Sequence, residues 1–177
     1  QDARVTKELA EKDPFNNFYA RGSRVRLSAE EIHDQALAVS GLLSEKMFGP
    51  SVMPWQPAGI WLSPWSGQYW VNSKGEDQYR RAVYTYWKRT APYPAMISFD
   101  GASREACLAR RIVTNTPLQA MVTLNDSFYL DASRHFAYRM IEKAVLKDVA
   151  KTIQYGYQIA MNKPITQPKL AAFEKLY

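Results

Sequence analysis

The spacing of hydrophobic positions predicts a mainly α-helical domain. Ile32, Ala36 and Val39 recur at helical intervals behind the capping box Ser28-Ala29-Glu30-Glu31, and Gly41 stands where a left-handed C-cap is expected. The run Thr116-Pro117-Leu118-Gln119 predicts a second well-capped helix with proline at its first position. Further helices are predicted at residues 1–13, from Ser73 to near Pro92, and at residues 103–111, 127–145, 147–161 and 168–177.

Residues 47–75 depart from this helical pattern. Pro50, Pro54, Pro57 and Pro64 alternate with glycines, and proline sustains neither a helix interior nor a central strand. We therefore expect a long ordered loop, with at most a short strand pair near residues 69–71. The predicted fold is an irregular multi-helix domain with one long loop rich in Trp, Pro and Gly, spanning residues 1–177 as a single domain.

Composition narrows the function classes. Hydrophobic residues form 46% of the chain and charged residues 23%, which excludes the disordered classes. The net charge of +6 is scattered and accompanies no nucleic-acid-binding motif, so no nucleic-acid partner is expected. One cysteine and two distant histidines give no metal-ligand spacing, so we expect neither a metal site nor a cofactor in this chain. No apolar run is long enough for a membrane span.

The long loop is the first candidate site, for ligand binding. Its aromatic side chains could stack on sugar rings, with the amides of Gln56, Gln68 and Asn72 available for hydroxyl groups. The alternative is a loop folded over its own aromatics as a small satellite core. The candidate ligand-binding aromatics are Trp55, Trp61, Trp65, Tyr69 and Trp70.

The polar stretch 76–115 contains further candidate ligand-binding residues, namely Glu76, Arg80, Trp87 and Asn115. In the predicted helix, Glu76 would pair with Arg80, and Asp77 with Arg81, one turn apart. Such a network either fixes a functional cleft or is a structural set of surface pairs.

The same stretch offers a candidate catalytic set for a hydrolase. Asp100 and Glu105 would be the two carboxyl groups, with Arg104 and Arg111 beside them. The alternative is that Asp100 belongs to a turn and Glu105 to a helix N-terminus. Cys107 is expected to be a buried apolar residue, and His33 and His135 are expected to be packing or surface residues rather than ligands.

Several short motifs stand in an order that resembles a known family. They include residues 26–32, 38–42, 49–52, 75–81, 86–90, 103–105, 114–120 and 124–126. The chain resembles, over about residues 1–145, the planctomycete-type (PSD) domain of unknown function, the C-terminal domain of surface proteins that carry planctomycete cytochrome c domains. His33, Ala102 and Ser127 depart from the family pattern, which usually has Arg, Pro and Pro there. The first departure weakens any anion-binding role at His33.

The resemblance implies an extracytoplasmic protein, periplasmic or at the cell surface, and no established reaction or catalytic residue. It also implies that the chain corresponds to the latter part of a longer family domain. Our main hypothesis is a non-catalytic binding or interaction module, with glycan as the favoured ligand and other domains of the same polypeptide as partners. The alternatives are a polysaccharide-directed hydrolase and a docking domain for a haem domain, which basic residues at 80, 81, 88 and 89 would serve.

Overall fold

The computed structural model describes residues 4–22, 25–61, 67–104, 106–143 and 148–176. The described part of the chain is mainly helical, as predicted, and its named elements are α-helices and short 3₁₀ turns. The α-helices are α1 (Lys7–Lys12), α2 (Ala29–Ser40), α3 (Pro94–Ser98), α4 (Pro117–Asn125), α5 (Ser127–Lys143), α6 (Val149–Met161) and α7 (Gln167–Glu174).

The local signals that predicted α2 and α4 are confirmed. Ser28 and Glu31 form the capping box of α2, and Gly41 ends that helix with a φ of 80°, in the left-handed region that favours glycine. At the start of α4, the Gln119 side chain accepts a hydrogen bond from the Thr116 amide at 3.3 Å. Polar capping residues therefore mark both helix starts.

The helix predicted from Ser73 to Pro92 is wrong. The chain instead forms two 3₁₀ turns, Gly75–Tyr79 and Ala82–Tyr84. The backbone of this segment pairs with the preceding loop: the Ser44 amide donates to the Tyr79 carbonyl at 2.9 Å and the Val52 amide to the Tyr84 carbonyl at 2.8 Å. These contacts give two isolated parallel bridges, and the predicted strand pair at residues 69–71 is absent from the described residues.

The helix predicted at residues 103–111 is also wrong, and α3 was not predicted. Arg104 has a φ of 61°, which is incompatible with a continuing right-handed helix. Just upstream, Gly101 approaches the end of α3 so closely that a Cβ there would lie 2.7 Å from the Met96 carbonyl oxygen. The segment after α3 is therefore a turn followed by extended chain.

The core lies where α2 packs on α5 and on α3. Leu37 is fully buried, and His33 from the same helix stacks on Phe128 with the ring centroids 4.2 Å apart. Tyr93 lies edge-on to His33 and extends this core toward the long loop. None of the helices in the described ranges is both long enough and apolar enough to cross a membrane.

Candidate functional site

Arg80 holds the start of the long loop in place. Its side chain is 1% exposed, and its guanidinium donates to the carbonyls of Lys46, Phe48 and Pro50 at 3.3, 2.5 and 3.1 Å. The guanidinium also lies over the ring of Tyr84, 3.8 Å from its centroid. Arg80 was predicted to bind ligand, but the structure buries it as an anchor for residues 46–50.

The predicted one-turn ion pairs are replaced by contacts to other segments. Glu76 accepts a hydrogen bond from the Ser44 hydroxyl at 2.6 Å, and Asp77 pairs with Lys46 at 3.0 Å. Arg81 pairs with Asp34 of α2 at 3.3 Å. The 3₁₀ turns place these side chains toward the loop and α2, so the polar groups of residues 76–81 attach the loop to the helical core.

The later part of the long loop encloses a cavity of about 380 Å³, which we call the aromatic pocket. It brings together four of the predicted aromatics and two of the predicted amides. Its lining residues are Trp55, Gln56, Pro57, Ala58, Gly59, Ile60, Trp61, Tyr69, Trp70 and Asn72. A concave, largely apolar pocket with a few polar groups is the usual form of a small-ligand site.

Two tryptophans that pack on other aromatic rings form one wall of the aromatic pocket. Trp61 is 6% exposed, and its indole donates to the Ala91 carbonyl at 3.0 Å. Trp70 meets Trp61 edge-on and stacks on Tyr93, with ring centroids 5.1 and 5.9 Å apart respectively. Since both indoles are packed and Trp61 is buried, these two residues build the pocket as part of a satellite core.

Tyr69 and Trp55 are the lining aromatics that make no ring contact with another aromatic side chain in the described part of the chain. Tyr69 is 75% exposed, and Trp55 is half-buried. The backbone of Trp55 is held in place because its carbonyl accepts a hydrogen bond from the Tyr93 hydroxyl at 2.9 Å. The self-packed alternative for the loop thus describes Trp61 and Trp70, while ligand binding by Tyr69 and Trp55 stays a prediction.

Gln56 supplies an unpartnered polar group in the aromatic pocket. The residue is 6% exposed, and its Oε1 atom is buried without a hydrogen-bond partner among the described residues. An unpaired buried carbonyl costs folding free energy, and most such atoms in native proteins are paired. Gln56 therefore brings an unsatisfied acceptor to the lining of the pocket, and because Oε1 itself is covered, a ligand hydroxyl would reach it only once the side chain turned toward the cavity.

A second cavity, the adjacent pocket, shares Trp55 with the aromatic pocket. Its volume is about 450 Å³, and Trp55 lines both cavities. The other lining residues are Gln78, Tyr79, Ser127, Phe128, Leu130, Asp131 and Arg134. Burial raises the pKa of Tyr79, and the charge of Asp131, which accepts the Tyr79 hydroxyl at 3.3 Å, raises it further.

Asp100, the first predicted catalytic carboxylate, is engaged in hydrogen bonds. It accepts from the Thr114 amide at 2.8 Å, the Thr114 hydroxyl at 2.7 Å and the Gln119 amide nitrogen at 3.4 Å. The Thr114 bonds hold the pKa of Asp100 below its usual value. A general acid needs a raised pKa, so these contacts instead describe a carboxylate that attaches the turn after α3 to the start of α4.

The two arginines of the predicted catalytic set also have structural partners. Arg111 forms a bidentate ion pair with Glu30, at 2.5 and 2.9 Å, and this contact lowers the pKa of Glu30. Arg104 lies over Trp87, 4.9 Å from the ring centroid. The Trp87 indole donates to the Ser103 carbonyl at 3.3 Å, which places Trp87 beside this segment and outside both pockets.

The remaining predicted residues lie elsewhere. Asn115 is exposed and lines neither pocket. Trp65 and Glu105 lie outside the described residues. Cys107 is exposed, which contradicts the predicted burial, because the expected helix does not form there. Where residues are described, no group of acidic, histidine or cysteine side chains could hold a metal ion.

The sequence prediction missed the polar side of the adjacent pocket. Gln78 lies in the 3₁₀ turn Gly75–Tyr79. Asp131 and Arg134 lie on α5, further along the sequence by more than one-quarter of the chain length. No local motif links these positions. Only the packing of α5 beside the long loop brings them next to Trp55.

Comparison with known proteins gives one match. No curated protein and no solved structure is significantly similar to the chain. The family model PSD1, described as a protein of unknown function (DUF1553), matches residues 1–177, so the match extends through α6 and α7 beyond the residues that carried the sequence resemblance. The chain therefore belongs to the PSD1 family of proteins of unknown function.

Proposed function

We propose that this chain is a non-catalytic, extracytoplasmic binding module whose aromatic pocket holds a sugar ring. The observation that carries the proposal is the combination, in one cavity, of aromatic surface that is not packed on other rings and a buried acceptor that has no partner among the described residues. Trp55 and Tyr69 supply the aromatic surface, and Gln56 supplies the acceptor.

The chemistry of a pyranose matches these groups. The C–H face of the ring is apolar and packs on an aromatic side chain, and this contact removes apolar surface from water. The hydroxyl groups at the ring edge donate hydrogen bonds, and Gln56 Oε1, once turned toward the cavity, would gain the partner that it lacks among the described residues. Asn72 adds a second amide at the rim.

The contacts of Asp100 and Arg111, two of the predicted catalytic residues, favour binding over hydrolysis. Asp100 already accepts three hydrogen bonds, and Arg111 is paired with Glu30. A hydrolase would require these groups to leave their partners before acting on a substrate. The alternative of a docking domain for a haem domain relied on four basic residues, and one of them, Arg80, is buried. Docking remains a prediction for Arg81, Lys88 and Arg89.

The test is direct binding of defined sugars. The probes are β-1,4-linked glucose, β-1,4-linked N-acetylglucosamine and α-1,4-linked galacturonate, each from the single sugar to the tetramer. Protein chemical-shift titration detects weak binding, and calorimetry measures the stronger complexes. We expect at least one series to bind the wild type and Trp55→Ala or Tyr69→Ala to weaken that binding about tenfold, because each removes a stacking face.

Phe18→Ala is the matched control. Phe18 is 81% exposed and lines neither pocket, so its removal should leave binding unchanged. Absence of binding by the wild type to all three series would contradict the proposal. Equal affinities for the wild type, Trp55→Ala and Tyr69→Ala would also contradict it, because the sugar would then lie elsewhere.

A further inference from the structure

We infer that the ligand is an oligosaccharide that extends from the aromatic pocket across Trp55 into the adjacent pocket. This inference rests on the proposed function and specifies its ligand class. The observation behind it is that one half-buried residue, Trp55, lines both cavities, so a chain of sugars could pass along it from one to the other.

The side chains of the adjacent pocket suit a second sugar unit. Within the described part of the chain, the side chains of Gln78 and Arg134 have no hydrogen-bond or ion-pair partner, so both can donate to hydroxyl oxygens. Asp131 contributes carboxylate oxygens that can accept from hydroxyl groups. A charged donor, a charged acceptor and an amide around one aromatic ring can bind the edge of a sugar on several sides.

The charges in the adjacent pocket favour hydroxyl recognition rather than capture of an anion. Asp131 and Arg134 carry opposite charges, and Asp131 also lies 3.5 Å from His135 Nδ1 and accepts the Tyr79 hydroxyl. The formal charges of the acidic and basic lining residues therefore cancel. Volumes of about 380 and 450 Å³ place each cavity within the usual range of ligand pockets.

The two pockets divide the work of recognition. The aromatic pocket contributes stacking and one buried acceptor, which act on any sugar unit with an apolar face. The adjacent pocket contributes hydrogen bonds that are made only when a second unit is present. Affinity should therefore rise with the length of the oligosaccharide, and the residues responsible for the rise should be those on α5 and the 3₁₀ turn.

The experiment measures affinity against length for the same three sugar series. For the series that binds, the wild type should bind the dimer or trimer about tenfold more tightly than the single sugar, since bonds to charged groups are among the stronger ones. Arg134→Gln and Gln78→Ala should reduce this gain and leave the affinity for the single sugar unchanged. Both side chains are at least partly exposed, so the variants should fold.

Arg110→Gln is the control for net charge, because Arg110 is exposed, lines neither pocket and carries the same charge. It should retain the full gain with length. If affinity does not depend on length, or if the gain survives in Arg134→Gln and Gln78→Ala, the inference is overturned while the proposed function stands. If Arg110→Gln loses as much as Arg134→Gln, nonspecific attraction explains the gain and the inference also falls. Failure of every series to bind the wild type removes both proposals.

Discussion

The aromatic pocket and the carboxylate segment (residues 100–119) were both candidate sites, and their polar groups are in opposite states. In the carboxylate segment, Asp100 and Arg111 have two or more hydrogen bonds each from protein partners. In the aromatic pocket, Gln56 Oε1 has none from the described residues, and Tyr69 is exposed to solvent. The segment with many charged residues therefore has a structural role in this protein. The pocket with an unsatisfied hydrogen-bonding group is the better candidate for binding.

The largest predicted effect separates the wall of the aromatic pocket from its open side. Trp61→Ala should lower the free energy of unfolding by about 3–5 kcal/mol, because Trp61 is 6% exposed and its loss leaves a cavity beside Trp70. Urea denaturation followed by circular dichroism measures the change. A loss below about 1 kcal/mol would show that the satellite core is not packed as described.

Trp61→Ala is consequently a poor test of sugar binding, although the sequence alone makes Trp61 and Trp55 equivalent candidates. A variant that loses the pocket wall would lose binding whether or not Trp61 touches a ligand. Trp55→Ala and Tyr69→Ala avoid this ambiguity because Trp55 is half-buried and Tyr69 is exposed.

The next effect concerns the carboxylate segment. Asp100→Ala should lower the free energy of unfolding by about 1–2 kcal/mol, because the Thr114 amide and hydroxyl lose their acceptor. Asp100 also has a φ of 63°, a conformation that Asp tolerates better than Ala. Sugar binding should be unchanged, as residue 100 lies in neither pocket. If Asp100→Ala lost sugar binding but kept its stability, Asp100 would belong to the functional site.

How much the sequence could predict depends on whether a signal is local. The caps of α2 and α4 were predictable because Ser28, Gly41 and Gln119 act on neighbouring backbone groups. The 3₁₀ turns were not predictable, because the backbone of residues 79–86 pairs with the loop at Ser44 and Val52, more than 30 residues earlier. The aromatic pocket was anticipated from its composition, but which tryptophan faces solvent depends on tertiary packing.

A smaller effect is expected in the pH dependence of stability. The Thr114 hydrogen bonds keep the pKa of Asp100 below its unfolded value, so they stabilise the fold above the unfolded pKa, about 4. This contribution is lost as the pH falls through the lowered, folded pKa. The stability of Asp100→Asn should therefore fall less steeply with acid than that of the wild type, measured by thermal melting at pH 2 to 6.

The aromatic pocket has no comparable acid response. None of the lining residues that the structure describes is acidic, basic or a histidine. Binding of a neutral single sugar should therefore be constant over the acid range in which the protein stays folded. Binding that followed the titration of a carboxylate would place the sugar in the carboxylate segment instead, and it would reverse the comparison between the two regions.

The smallest expected change in stability comes from Gln56→Met, and its sign carries the information. Methionine has a similar length and removes the buried Oε1, which has no partner in the described part of the chain, so the free energy of unfolding should stay the same or rise slightly. Sugar affinity should fall about tenfold, because the ligand hydroxyl that would donate a hydrogen bond to Gln56 Oε1 loses its acceptor. Urea denaturation and calorimetry on the same preparation measure the two quantities. A variant that is clearly less stable would show that the amide serves the fold, and one that binds as tightly as the wild type would show that Gln56 faces no ligand hydroxyl.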